Sequence, residues 1–266
     1  MIDLPSRCSL DGKRVLVTGA TGYLGRSMVL GLAQLGAKVL LNGRNKQSIE
    51  EYVIELCNIG FNAESAVFDI NDEQAVFGWF SEYAGYPLHG LVNNAYSGGA
   101  GTIETASEED YRNSFEVSLV SAHRLVQCAL PFLRSAVGDC GNASVVNIGS
   151  MYGSVSPDLS IYENKQLANP PFYGAAKAAL LQWTRYAACE FGGEGIRVNS
   201  VSPGPFPSRE VQKKNPDFTA KLAEKVPLGR VGSVKEIQGP VSFLISDAST
   251  FVNGANLVVD GGWTCW

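Results

Sequence analysis

The runs VLVTG (15–19), GLVNNA (90–95), SVVNIG (144–149) and RVNSVSPG (197–204) stay apolar until a polar or glycine-containing end. A strand that shows neither face to water reads this way, whereas a strand with one wet face alternates. Such strands need helices above and below them. The chain supplies helical patterns in between: SMVLGLAQLG, RNSFEVSLVSAHRLVQCALPFLR and FYGAAKAALLQWTRYAACEF. Strands are expected at Arg14–Thr18, Lys38–Asn42, Asn62–Phe68, Gly90–Asn93, Ser144–Ile148, Arg197–Val201 and Asn256–Val259. Repeated β-α units with right-handed crossovers imply an α/β fold, a Rossmann-type doubly wound parallel sheet with helices on both faces. No stretch resembles a tether, so residues 1–266 are expected to form a single domain. The segments Gly153–Pro171 and Gly204–Pro216, rich in Pro, Gly, Ser and Asn, follow strand ends and read as loops over a site.

Charge and composition narrow the function. A net charge of −5 with no basic face argues against a nucleic-acid partner. No run of apolar residues is long enough to span a membrane, and MIDLPSRCSLDGKR has no signal-peptide core. The six cysteines are scattered without a CxxC pair, which reads as reduced thiols in a cytoplasmic protein. With only two histidines, His89 before a strand and His123 in a helix, both read as structural, and neither a histidine triad nor a metal site is expected.

TGATGYLG, Thr18 to Gly25, stands between the run VLV and a helix, with a second strand about twenty residues on. A strand, a glycine turn and a helix N-terminus aim backbone N–H groups and a dipole end at a pyrophosphate. A plain glycine-rich turn is the other reading. The second strand ends LLNGRN, with Gly43 and Arg44 where a carboxylate would hold a ribose 2′-hydroxyl in an NAD site. An arginine can instead hydrogen-bond a 2′-phosphate bidentately, so NADP(H) is expected over NAD, unless Arg44 is a solvated loop residue.

Tyr173-Gly-Ala-Ala-Lys177 sets a phenol and an ammonium on one helical face. A phenol with an ordinary pKa of about 10 is a poor base at neutral pH, and a nearby cation favours its phenolate. With the Thr18–Gly25 loop, Asp69 after the third strand, Asn93-Asn94-Ala95, Ser150 after VVNIG, and Pro203-Gly204 after RVNSVS, the chain resembles the short-chain dehydrogenase/reductase family along nearly its whole length. The ending, through Gly254 and Val259-Asp260-Gly261-Gly262, is similar to the shorter branch of that family, although the glycine spacing is that of its extended branch.

The resemblance implies catalytic roles for Ser150, Tyr173 and Lys177. Tyr173 would move the proton, Lys177 would lower its pKa and bind the nicotinamide ribose, and Ser150 would hydrogen-bond the substrate oxygen. The implied cofactor contacts are Gly19, Thr21, Gly22, Tyr23, Leu24, Arg44, Asp69, Ile70, Asn94, Ala95, Tyr173, Lys177, Pro203, Gly204, Phe206 and Ser208. Three features depart from the family pattern. Ser118 replaces a helix asparagine whose main-chain carbonyl holds a relay water, Tyr96 replaces the glycine of NNAG, and residues 151–172 make a longer connection between Ser150 and Tyr173 than the family's.

That connection carries Tyr162, Glu163, Asn164, Lys165 and Gln166, hydrogen-bonding groups suited to a polyhydroxylated substrate, although a tolerated surface insertion would look the same. The NNAY, SMYG and DGGWT features are similar to sugar- and gluconate-directed and flagellin-modifying members. The expectation is an NADP(H)-dependent oxidoreductase acting on a secondary alcohol or ketone of a sugar, sugar acid or similar small molecule. The alternatives are a 3-oxoacyl thioester reductase and a cofactor-binding protein without catalysis. The family also implies a homo-oligomer, tetramer or dimer, formed through the helices containing Arg112–Arg134 and Tyr173–Phe191.

Overall fold

The computed structural model describes residues 3–83 and 85–266. The first half runs α1 (Leu4–Cys8), β1 (Arg14–Val17), α2 (Tyr23–Gln34), β2 (Lys38–Gly43), α3 (Lys46–Asn58), β3 (Ala63–Val67), α4 (Glu73–Glu82), β4 (Gly90–Asn93) and α5 (Glu108–Phe115). A π turn (Glu116–Val120) then leads into α6 (Ser121–Cys140), β5 (Ala143–Ile148), α7 (Pro171–Phe191) and β6 (Ile196–Pro203). The chain ends with α8 (Arg209–Lys214), α9 (Pro216–Glu224), α10 (Gln238–Ile245) and β7 (Asn256–Val259). The seven strands form one sheet in the order β3-β2-β1-β4-β5-β6-β7, and each neighbouring pair is parallel.

Successive residues of a strand point to opposite faces, and the core divides accordingly. Val15, Val17, Val39 and Leu41 pack with Met28, Leu32 and Ile49 from α2 and α3, and with Val241 and Leu244 from α10. Leu16, Leu40 and Leu91 point the other way, onto Val76 and Phe80 of α4, Leu125 and Leu133 of α6, and Ala187 of α7. This two-sided burial is what the unbroken apolar runs require. A third cluster, Met151, Tyr152, Ile161, Leu222, Val226 and Trp263, lies outside the carboxyl ends of the strands.

The strands fall within two residues of their expected bounds. β6 runs two residues further, because Pro203 still pairs in register with Val259. The helical pattern at Arg112–Arg134 is not one uniform helix. It starts earlier, where Ser107 Oγ accepts from the Asp110 amide at 3.2 Å and the Ser107 amide donates to the Asp110 carboxylate at 2.8 Å. It then passes through the π turn. The segment Gly204–Pro216, expected to be irregular, contains α8, capped where Ser208 Oγ accepts from the Val211 amide at 3.2 Å. The Ser150–Tyr173 connection is pinned: Ile161 is buried in the third cluster, Asp158 pairs with Lys225 at 2.7 Å, and the Gly101 amide donates to the Ala168 carbonyl at 3.2 Å.

All six cysteines are free. Among the described residues, no helix is long and apolar enough to cross a membrane.

His89, buried at the entry to β4, accepts the Arg14 amide on Nδ1 at 3.0 Å, with Asp139 3.4 Å from Nε2. Burial holds its pKa below the ordinary 6.5 despite Asp139. With the folded-state value depressed, the unfolded chain takes up the proton first, so the stability due to neutral His89 is complete above that ordinary value. It is lost as pH falls through the folded value. The His89→Asn variant is therefore expected to show a shallower loss of urea midpoint between neutral and mildly acidic pH than the parent. Parallel profiles would place the acid sensitivity elsewhere.

Candidate active site

The strand order reverses direction between β1 and β4, and a cleft opens beyond the carboxyl ends of such a pair. Here the two loops are stitched together. Thr18 Oγ1 accepts from the Asn94 and Ala95 amides at 2.9 and 3.0 Å, and Asn94 Nδ2 donates to the Thr18 and Gly19 carbonyls at 2.9 and 3.2 Å. The glycines permit this closeness. Gly19 has φ +62°, and a Cβ there would lie 2.9 Å from Ala95 Cα. A Cβ on Gly25 would lie 2.1 Å from the Gly19 carbonyl oxygen. Gly22 caps α2 without a side chain, which leaves the first-turn amides facing the cleft.

A cavity of about 480 Å³ occupies this cleft. Its walls include Gly19, Thr21, Gly22, Tyr23 and Leu24 from the glycine loop, Arg44 after β2, Asp69 and Ile70 after β3, and Asn94, Ala95 and Tyr96 after β4. Arg44 is 68% exposed and stands 3.8 Å from Asp69, so no buried partner among the described residues commits its guanidinium. Backbone amides in a side-chain-free cradle and a cation at the far end suit a dinucleotide bearing a 2′-phosphate. Across the mouth, the Tyr23 hydroxyl donates to the Pro207 carbonyl at 3.3 Å.

A second cavity of about 370 Å³ adjoins the first, with Leu24, Asn94 and Tyr96 in both walls. It holds Ser150, Tyr173 and Lys177, with Pro203, Gly204 and Phe206 opposite. Pro171 at the first position of α7 sets the helix start, and the helix then places Tyr173 and Lys177 one turn apart. Ser150, two residues past the end of β5, accepts the Tyr152 amide at 3.1 Å. Tyr96 and Tyr173 meet edge to face, with ring centres 4.8 Å apart.

Charge in this cavity is set mainly by burial. Lys177 is enclosed without a carboxylate, and desolvation alone brings its pKa down to about 8. Its Nζ donates to the Ile148 carbonyl at 2.7 Å and lies 5.7 Å from the centre of the Tyr173 ring. Burial pushes the Tyr173 phenol up, Ser150 opposes this, and Tyr96 adds to it. Lys177 was expected to lower the phenol. In this arrangement desolvation prevails and the ammonium is engaged by a carbonyl.

Of the remaining expected contacts, Ser208 lines neither cavity; its hydroxyl caps α8. Ser118 sits buried in the π turn with no hydrogen-bond partner for Oγ among the described residues. The second cavity also takes walls that sequence patterns did not single out, among them Val211 of α8, Phe218 and Leu222 of α9, and Asn169 just before α7. Asn169 Oδ1 is shielded from solvent and unpartnered among the described residues. The apolar pair at 218 and 222, four apart between Pro216 and Pro227, is the signal that could have revealed α9 as a wall.

The chain is similar to known proteins along nearly its whole length. A family profile described as enoyl-(acyl carrier protein) reductase matches residues 19–264. Gluconate 5-dehydrogenase of Gluconobacter oxydans (strain 621H) is 33% identical, with 98% of each chain covered. A tropinone reductase homologue of Arabidopsis thaliana is 34% identical, covering 97% of this chain and 92% of its own. The crystal structure of a gluconate 5-dehydrogenase from Burkholderia cenocepacia J2315 in complex with NADP and tartrate superposes with a TM-score of 0.88. It is 28% identical and covers 99% of this chain and 100% of its own.

The tight contact at Gly25 has a direct test. Gly25→Ala drives a methyl into the Gly19 carbonyl, a backbone group that cannot swing away. A loss of about 1–3 kcal/mol is expected from urea unfolding, in the range for overpacking that forces a backbone shift. An unchanged midpoint would show that the loop has room to spare.

Proposed function

This chain belongs to the short-chain dehydrogenase/reductase family, and from that premise we propose an NADP(H)-dependent oxidoreductase that interconverts a secondary alcohol and a ketone. We propose a sugar, sugar acid or similarly polar molecule as its substrate. The observation that carries this reading is the pair of adjoining cavities: the glycine cradle and Arg44 line one, Ser150, Tyr173 and Lys177 the other.

In this reading the first-turn amides of α2 hold the pyrophosphate and Arg44 holds the 2′-phosphate. Asp69 and Ile70 flank the adenine, while Asn94 and Ala95 back the cofactor. Pro203, Gly204 and the Phe206 backbone lie toward the nicotinamide. When bound, NADPH supplies a hydride. Ser150 donates a hydrogen bond to the substrate carbonyl oxygen, and Tyr173 gives that oxygen its proton. A phenol is protonated at neutral pH and burial pushes its pKa further up, so the site offers an acid, and alcohol oxidation calls on the ionised form at higher pH. Lys177 binds the nicotinamide ribose and brings positive charge near Tyr173. The hydroxyls of Tyr152 and Tyr162 and the amide of Asn169 in the lining of the second cavity favour a hydroxylated substrate. The NADP of the Burkholderia relative and the gluconate of both bacterial ones support the same choices.

Phe206, Val211, Phe218 and Leu222 make part of the same lining apolar, and this observation carries a second reading, a 3-oxoacyl thioester reductase. We further propose a single functional unit over residues 1–266 that assembles as a homo-oligomer; Tyr186 on α7 is 68% exposed and offers an apolar contact.

Tyr173→Phe removes the proton but keeps the ring, so kcat is expected to fall roughly 10²- to 10⁴-fold while NADPH still binds in a fluorescence titration. Full turnover by this variant would refute the mechanism. Arg44→Ala is expected to raise KM for NADP about tenfold or more, as loss of a charge-assisted hydrogen bond implies, and to leave KM for NAD nearly unchanged. Equal effects on both cofactors would remove Arg44 from the 2′-phosphate site.

A further inference from the structure

Where the family pattern has a small residue after Asn93-Asn94-Ala95, this chain has Tyr96, and the ring stands at the junction of the two cavities. Its ring meets that of Tyr173 at 4.8 Å with the planes inclined by 67°, the edge-to-face arrangement that aromatic pairs prefer. Lys177 Nζ lies 5.3 Å from the Tyr96 ring centre, within the range of a cation–π attraction. The Tyr96 hydroxyl is 3.5 Å from Ser114 Oγ, and Ser114 donates to the Phe172 carbonyl at 3.2 Å. Phe172 immediately precedes Tyr173. One side chain thus touches the phenol ring, the ammonium and, through Ser114, the start of the helix that carries both.

We propose that Tyr96 is a positioning residue, whose ring holds Tyr173 in place and keeps water from its flank. The inference rests on the reading of Tyr173 as the proton donor. The titratable groups around the phenol are Lys177 on its own helix, Tyr96 after β4 and Tyr152 after β5. Of these, Tyr96 is the one whose ring packs edge to face on the phenol ring, so its truncation opens the space beside it without removing a cation. Burial is the main cause of the raised phenol, so water admitted there lowers it.

The test is the pH dependence of kcat/KM for ketone reduction in the parent, Tyr96→Ala and Tyr96→Phe, with NADPH binding and thermal midpoint measured on each. Reduction needs the protonated phenol, so the rate falls as pH rises through its pKa. Tyr96→Ala is expected to move that fall to lower pH and to reduce kcat roughly two- to tenfold, the scale of an aromatic pair. Tyr96→Phe keeps the ring and is expected to restore the parental inflection. If Tyr96→Ala keeps the parental profile, or if Tyr96→Phe shifts it as far as Ala does, the ring is not what positions Tyr173. A Tyr173→Phe variant that retains turnover overturns the proton-donor reading itself; one that loses turnover, beside an unshifted Tyr96→Ala, overturns only this inference.

Discussion

Everything at the site depends on the stitch between the loops after β1 and β4. The Thr18 hydroxyl accepts two amides from Asn94 and Ala95 and donates to the Val92 carbonyl at 3.3 Å, while the Asn94 amide holds the carbonyls of Thr18 and Gly19. Such bonds are individually worth on the order of 1 kcal/mol, but here they define where two adjacent strands let go of one another. The glycine loop can lie against Ala95 only because Gly19 and Gly25 have no side chains to intrude. The cleft, its amide cradle and the passage to the second cavity all follow from that approach.

The second cavity is governed by desolvation. Lys177 is enclosed without a counter-ion, and its charge is met by the Ile148 carbonyl at the end of β5. That carbonyl is available because the strand ends there and the chain turns away at Gly149, beside Ser150. The sheet therefore supplies both a hydrogen-bonding hydroxyl and the anchor of the ammonium, while α7 supplies the phenol. A buried cation and a half-buried phenol one turn apart each cost stability, as sites arranged for proton transfer commonly do.

Much of this is legible from the chain. Strand positions could be read because burial on both faces leaves unbroken apolar runs, and the apolar parts of VLVTG and SVVNIG, up to Val17 and Ile148, end where their strands end. Ser150, Tyr173 and Lys177 could be brought together because the β5 end and the start of α7 are fixed by the fold. The π turn could not, since Glu116–Val120 has the same apolar spacing as the helices flanking it and an extra residue per turn leaves no compositional mark. α8 and α9 were hidden by the Pro, Ser and Asn of their surroundings, residues that serve as caps and first-turn positions as readily as loops. Nor could the direction of the Tyr173 shift be read from a neighbouring lysine. It depends on how deeply Tyr173 and Lys177 are enclosed, and enclosure comes from residues of other segments, Tyr96 after β4 and Tyr152 after β5.

The proposed redox reaction with NADP(H) on a hydroxylated substrate is tested most directly by following the nicotinamide absorbance band while crossing NADP and NAD with sugars, sugar acids, simple ketones and a 3-oxoacyl thioester. Turnover is expected with NADP(H) in preference to NAD(H), with larger kcat/KM for polyhydroxylated substrates than for the thioester. Preference for NAD(H), or NADPH binding with no turnover across the panel, would contradict it.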